Sequence, residues 1–354
     1  MKIGVIAEIV LGSHRAHAIN VVKTAGGMLR LGHEVVLLCR APEQHALTIA
    51  DALSSYGEEH LQVVVEPQGD APFDAAKFGL WAASAAMKLG VDCVYARHFH
   101  GAIQAAAAAI PTIMETHAHV GDQRAEVVKA LRSTQSSRRG IQSIITIGDP
   151  LKRYFESLGA VAERVHIVPD GVDVELFAPP VGGSPVPEEL AFIGRPRVTY
   201  AGHLYDYKGV PTIIEAAAIV PELSFVLLGG TAEDVDRTRN AVRRLNNVRV
   251  LGAVEHVKVP PYLWHSDVLL LPPSSHDPSA AWTSPVKLGE YLASGIPIVA
   301  SSIRALKRWV TNEHVQWFEP DSARSMLDAI FAALGERADR RMGRLRACSD
   351  LARS

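Results

Sequence analysis

Short runs of apolar residues alternate along the chain with longer stretches whose apolar positions recur at helical spacing. The runs at 3–7, 34–38, 62–65, 93–96, 112–115, 144–147 and 166–168 read as strands, with helices at 18–31 and 101–109 among them. Strands that are apolar at nearly every position, separated by helical segments, predict a parallel sheet covered by helices on both faces. Gly32 stands where a helix C-terminus needs a residue free to turn left-handed, just before the next strand. The rhythm pauses over 177–196, which contains Pro179-Pro180 and Gly182-Gly183-Ser184-Pro185 and has the composition of a linker. It resumes with strands at 197–201, 224–228, 247–251, 268–271 and 298–300, and helices at 210–218, 232–245, 285–293 and 323–334. The expected architecture is α/β: two Rossmann-like parallel-sheet domains, 1–178 and 197–335, joined by a linker at 179–196. The Arg-rich end, 336–354, reads as a surface helix whose docking site the sequence does not reveal.

A length of 354 residues suits two domains. Apolar residues make up 48% and charged residues 21%, which is the balance of a globular chain. A net charge of −2 gives no basic excess, so no nucleic-acid partner is expected. Cys39, Cys93 and Cys348 lie far apart without metal-ligand spacing, which fits reduced thiols in a cytoplasmic protein. Glu8 interrupts the apolar run that opens at Ile3, so that run reads as a buried strand, not a signal peptide. The sequence contains no run of about twenty uncharged apolar residues, so no membrane span is expected.

Open parallel sheets bind ligands at the carboxyl ends of their strands, which directs attention to the loops there. The first strand leads into Glu8-Ile9-Val10-Leu11-Gly12-Ser13-His14, with one glycine and no G-x-G-x-x-G, which argues against NAD or FAD. A G-x-x-x-x-G-K-[ST] loop is also absent. In the second half, 197–201 runs into Gly202-His203-Leu204-Tyr205-Asp206-Tyr207-Lys208-Gly209 and then a helix. A glycine-bearing loop with a lysine at a helix start suits an anion, and a departing diphosphate needs a cation nearby. The alternative is a surface turn with a solvated lysine. In Trp282-Thr283-Ser284-Pro285-Val286-Lys287-Leu288-Gly289-Glu290, Ser284 suits the N-cap and Pro285 the first helical position, leaving free amides. Glu290, one to two turns further, can accept hydrogen bonds from paired ribose hydroxyls; a capped helix with an exposed glutamate is the alternative.

Together these segments resemble the retaining glycosyltransferases of family 4, of the GT-B fold, over roughly residues 1–335. Val168-Pro169-Asp170-Gly171-Val172-Asp173 with Phe177 is similar to the family's PNGVD..F segment, and Gly202-His203 with Lys208-Gly209 to its G-R…K-G loop. Residues 284–293 resemble an SPxKLxEYLA donor helix, and Tyr95-Ala96-Arg97 and Glu115-Thr116-His117 the Y-x-R and E-x-H strand ends. The resemblance implies two Rossmann-like domains with an interdomain cleft and a nucleoside-diphosphate sugar as donor, UDP ahead of GDP. It implies an acceptor that is a sugar, a small molecule or a lipid-linked glycan, and requires no cofactor or metal. Lys208 and His203 would hold the diphosphate, Glu290 the ribose, and Gly202, Thr283, Ser284 and Pro285 the diphosphate or transferred sugar. Gly12 would let its loop approach the phosphates, and His117 would stand near the sugar or the reacting centre. His14, Arg15 and Arg97 are the acceptor-side candidates.

Two departures stand out. His203 replaces the family's usual arginine, exchanging a permanent charge for one that titrates near neutrality. Trp282 stands where many members carry a first glutamate, which shifts sugar recognition to other groups such as Thr283 or Asp277. Asp234-Val235-Asp236 matches a D-x-D metal string, but acidic residues are also favoured at a helix start. His98-x-His100 and His117-x-His119 lack further ligands at zinc spacing. Lys129, Arg132, Arg138 and Arg139 read as a solvated helix face, with a peripheral contact at the inner membrane surface as the alternative. The rival functions are a nucleotide-sugar epimerase of the same fold and a non-catalytic sugar-nucleotide-binding protein.

Overall fold

The computed structural model describes residues 1–42, 47–67, 72–120, 141–281 and 286–354. The chain divides into two compact units, Met1–Asp170 and Gly171–Ser354.

In the first unit the strands are β1 (Lys2–Val10), β2 (Glu34–Arg40), β3 (Gln62–Glu66), β4 (Cys93–Ala96), β5 (Thr112–Thr116), β6 (Ile141–Thr146) and β7 (Val165–Ile167). They form one parallel sheet in the order β3-β2-β1-β4-β5-β6-β7. The order reverses beside β1, which is the switch point where such sheets open a ligand crevice at their carboxyl ends. β1 runs three residues past the expected end: Glu8 is half-buried, 3.3 Å from the His98 ring, and Ile9 is buried. The helix Ala16–Arg30 ends as expected: Gly32 takes φ +84°, and the His33 amide closes onto the Met28 carbonyl at 3.3 Å.

The second unit holds β8 (Arg197–Ala201), β9 (Ser224–Leu228), β10 (Val248–Gly252), β11 (Val268–Leu271), β12 (Ile298–Ser301) and β13 (Val315–Phe318). These are parallel, in the order β10-β9-β8-β11-β12-β13, with β8 at its own switch point. β8, β9 and β11 match the apolar runs residue for residue; β13 was not expected, because Gln316 breaks its short run and Trp317 is only half-buried.

The stretch expected as a linker is fastened to the second unit. Phe177 and Leu190 are buried in its core beside Val226, Leu263 and Tyr291. The Arg197 guanidinium donates to the carbonyls of Leu190 and Ile193, and the Trp264 indole N–H donates to the Phe177 carbonyl at 2.8 Å. The terminal helix Ala338–Arg353 docks here too: Cys348 is buried in that core, and Arg344 binds Glu336 and the Val315 carbonyl. Among the described residues no helix is long and apolar enough to cross a membrane.

Candidate functional site

In the second unit, the loop leaving β8 makes a tight turn, Asp206–Lys208, before the helix Val210–Ile219. The turn is locked by Gly209: at φ +84°, a Cβ there would lie 1.8 Å from the Pro272 carbonyl oxygen. From the loop after β11, the Ser274 amide donates to the Tyr207 carbonyl at 2.9 Å. His203, Tyr205 and Tyr207 form a ladder of rings, with centroids 5.0 Å and 5.4 Å apart, and the Lys208 ammonium lies 5.0 Å from the Tyr207 ring centre. Burial pushes the Lys208 pKa below the ordinary lysine value, partly opposed by Asp277. A half-buried ammonium of this kind gains strongly from an arriving anion. Gly202 follows β8 directly, its amide bonded to the Leu228 carbonyl.

Glu290 sits on the helix Val286–Ala293 and is 1% exposed, not the solvated glutamate of the alternative reading. Lys287 reaches one of its carboxylate oxygens at 2.9 Å, and the His256 ring nitrogen Nε2 reaches the other at 3.1 Å. Burial alone would raise its pKa; Lys287 and His256 outweigh it and hold the carboxyl at about 2. Tyr291, the next residue, accepts a hydrogen bond from the Ala201 amide at the end of β8. The helix carrying Glu290 is thus bonded to the strand whose loop carries Lys208. Trp282, Thr283, Ser284 and Pro285 lie outside the described residues, as do Lys129, Arg132, Arg138 and Arg139.

In the first unit, side chains from several strand ends form one network. Arg97, after β4, is buried with its guanidinium 2.9 Å from Glu115 and 2.8 Å from the Asn20 side-chain oxygen. The Tyr95 hydroxyl donates to the other Glu115 oxygen at 2.6 Å, and the Asn20 amide donates to Asp170 at 2.8 Å. His117 Nε2 lies 2.7 Å from Glu115 and 3.7 Å from Asp170. Burial would raise the Glu115 pKa, but His117 and Arg97 hold it at about 2. An ionised carboxylate against Nε2 fixes the proton there in the neutral ring and leaves Nδ1 as the acceptor. Ligand atoms of Glu115, His117 and Asp170 fall within 4.8 Å of one another; the 2.7 Å separation is that of a shared proton, and Arg97 already supplies the positive charge.

Arg97, an acceptor-side candidate, therefore spends its charge inside the protein, whereas His14 and Arg15 are exposed in the loop after β1. Gly12 takes φ +83°, and a Cβ there would lie 2.5 Å from Leu47. Asp234 caps its own helix by binding Thr231, and His98 Nδ1 accepts the Gly101 amide, so both decoys have structural work. Sequence reasoning missed Asn20 and His256. Asn20 left a signal, a polar residue on the buried face of an amphipathic helix; His256 left none, since its partner is 34 residues away.

Residues 19–176 match the family described as Glycosyltransferase Family 4, and residues 195–336 match the one described as Glycosyl transferases group 1. The chain is 27% identical over 190 residues to TuaH of Bacillus subtilis, a glycosyltransferase named for teichuronic acid biosynthesis, covering 53% of this chain and 47% of that protein. It is 24% identical over 271 residues to the D-inositol 3-phosphate glycosyltransferase of Xylanimonas cellulosilytica, covering 72% of this chain and 61% of that protein. The chain thus spans about half to three-fifths of the length of these relatives. Among solved structures, Anabaena Alr3699/HepE in complex with UDP and glucose superposes with a TM-score of 0.75 at 16% identity, covering 99% of this chain and 94% of that one.

Proposed function

From the two glycosyltransferase family models that match its two halves and its GT-B fold, we propose that this chain is a family 4 glycosyltransferase that moves a hexosyl unit from a nucleoside-diphosphate sugar to an acceptor hydroxyl, with retention at the anomeric carbon. The observation that carries this reading is the pairing, in the second unit, of Lys208 and a buried, ionised Glu290 on elements joined by the Tyr291–Ala201 hydrogen bond. One group is a cation for a diphosphate; the other is an acceptor for a vicinal diol. UDP ranks ahead of GDP, supported by a solved relative that holds UDP and glucose. The likeness of residues 284–293 to an SPxKLxEYLA donor helix supports placing the chain in that subgroup, as part of the same proposal.

In this reading Lys208 and His203 face the diphosphate. The bond from the sugar C1 to the leaving phosphate oxygen breaks with oxocarbenium character, and its electron pair stays on that oxygen. The acceptor oxygen adds to the same face of C1, and its proton passes to the phosphate oxygen just released. Lys208 stabilises the charge that develops there, where one positioned donor is commonly worth about 10²–10³ in rate. The first unit takes the acceptor side, with His14 and Arg15 as its exposed polar groups. His117 offers Nδ1 to a sugar hydroxyl. The acceptor is a sugar, a small molecule or a lipid-linked glycan.

A thermal-shift screen with UDP, GDP, ADP and dTDP tests the donor class, since a ligand at about 100 times its Kd adds roughly 2.7 kcal/mol of native stability. UDP or GDP should raise the melting temperature; no shift with any of the four would sink the proposal. Donor turnover that requires an added acceptor separates transfer from epimerisation.

A further inference from the structure

We infer that His256 is a positioning residue for the donor ribose: it orients the Glu290 carboxylate so that both oxygens can accept from the paired hydroxyls. The inference rests on the donor reading of Glu290 given above.

His256 stands in the short turn His256–Lys258 after β10, 4% exposed, with its ring 5.3 Å from that of Phe177. Its Nε2 faces one Glu290 oxygen at 3.1 Å, while Nδ1 is buried and has no hydrogen-bond partner among the described residues. A bare Nε2 would set lone pair against lone pair, and a proton on Nδ1 would be stranded without an acceptor. The ring is therefore a single-purpose donor aimed at Glu290. Burying an imidazole with one of its two nitrogens unpaired costs about 1–3 kcal/mol relative to a satisfied group. An apolar side chain would fill this pocket beside Phe177 without that cost, so the donor is kept for the carboxylate.

The stoichiometry fits a diol. An ionised carboxylate has about four lone-pair sites. Among the described residues, Lys287 occupies one site on one oxygen and His256 one on the other, which leaves a site on each for a hydroxyl. Lys287 approaches from the same helix on a long, flexible stem. His256 comes from a different strand end and holds the carboxylate from outside that helix, which sets its rotation.

The test compares UDP with 2′-deoxy-UDP, and GDP with 2′-deoxy-GDP, by calorimetry on the full chain. Wild type should prefer the ribonucleotide about tenfold, the size of one hydrogen bond to a charged group. H256L should reduce that ratio to about one and lower deoxynucleotide affinity less than ribonucleotide affinity, since the 3′-hydroxyl remains; H256Q, which can place an N–H near Nε2, should restore part of the ratio. If H256L fails to fold, H256N, whose amide is too short, should lose discrimination that H256Q keeps. A wild type that does not discriminate overturns the ribose role of Glu290 and this inference with it. Discrimination retained in H256L or H256N overturns the inference alone.

Discussion

The Ala201 amide donates to the Tyr291 hydroxyl oxygen at 2.8 Å, across 90 residues of sequence, in a setting where both residues are buried. This bond joins the end of β8 to the helix that carries Glu290. Y291F would leave the amide buried and unpaired, at about 1–3 kcal/mol. Chemical denaturation should show that loss, together with weaker nucleotide binding than the stability change alone produces.

Lys208 gives a prediction with a definite sign. Its pKa is lowered by burial, so the charge is lost as pH rises through a value below the ordinary 10.5. UDP affinity should begin to fall on the alkaline side of neutrality, earlier than a solvated lysine would allow. K208R, permanently charged, should flatten that profile, and K208A should cut turnover by about 10²–10³ with the fold intact. Calorimetric titration across pH checks the first two outcomes and steady-state rates the third.

Glu115 and Glu290 are each held at about 2, against an ordinary 4.5. A carboxyl whose folded pKa is depressed stabilises the fold above its unfolded pKa, and that contribution is lost as pH falls from 4.5 towards 2. At neutral pH it is on the order of a few kcal/mol for a fully paired group. E115Q should therefore be less stable than wild type at pH 7, and the gap should narrow steadily on acidification. A gap independent of pH would mean that the Arg97–Glu115 pair carries no net charge stabilisation.

Gly32 and Gly209 share φ +84° but differ in surroundings. An added methyl meets nothing within 4 Å at Gly32 and meets the Pro272 carbonyl at Gly209. G32A should cost about 1–2 kcal/mol, the left-handed penalty alone. G209A should cost about 3 kcal/mol or more and distort the Lys208 turn. Melting curves and UDP binding of the pair distinguish strain from collision.

The sheets were legible because buried parallel strands write themselves as unbroken apolar runs; β8, β9 and β11 needed nothing else. β13 was not, since an edge strand with half-buried positions lacks that signature. His117 and Arg97 were legible because each follows a strand end directly, and Lys208 because it stands in a glycine-bearing loop just before a helix. What sequence could not disclose is pairing. Glu290 was visible as a carboxylate on a helix, but its contact with His256, 34 residues earlier, was not. Arg97 read as an acceptor-side candidate, but its guanidinium is taken up by Glu115 and Asn20.

The bond between Asn20 and Asp170 spans 150 positions, and it closes the network that also holds Arg97 and Glu115. No shorter stretch of the first unit contains every member. A partly synthesised or clipped copy therefore carries scattered, mismatched charges instead of a weaker version of the site, and competence arrives only when the last strand end is in place.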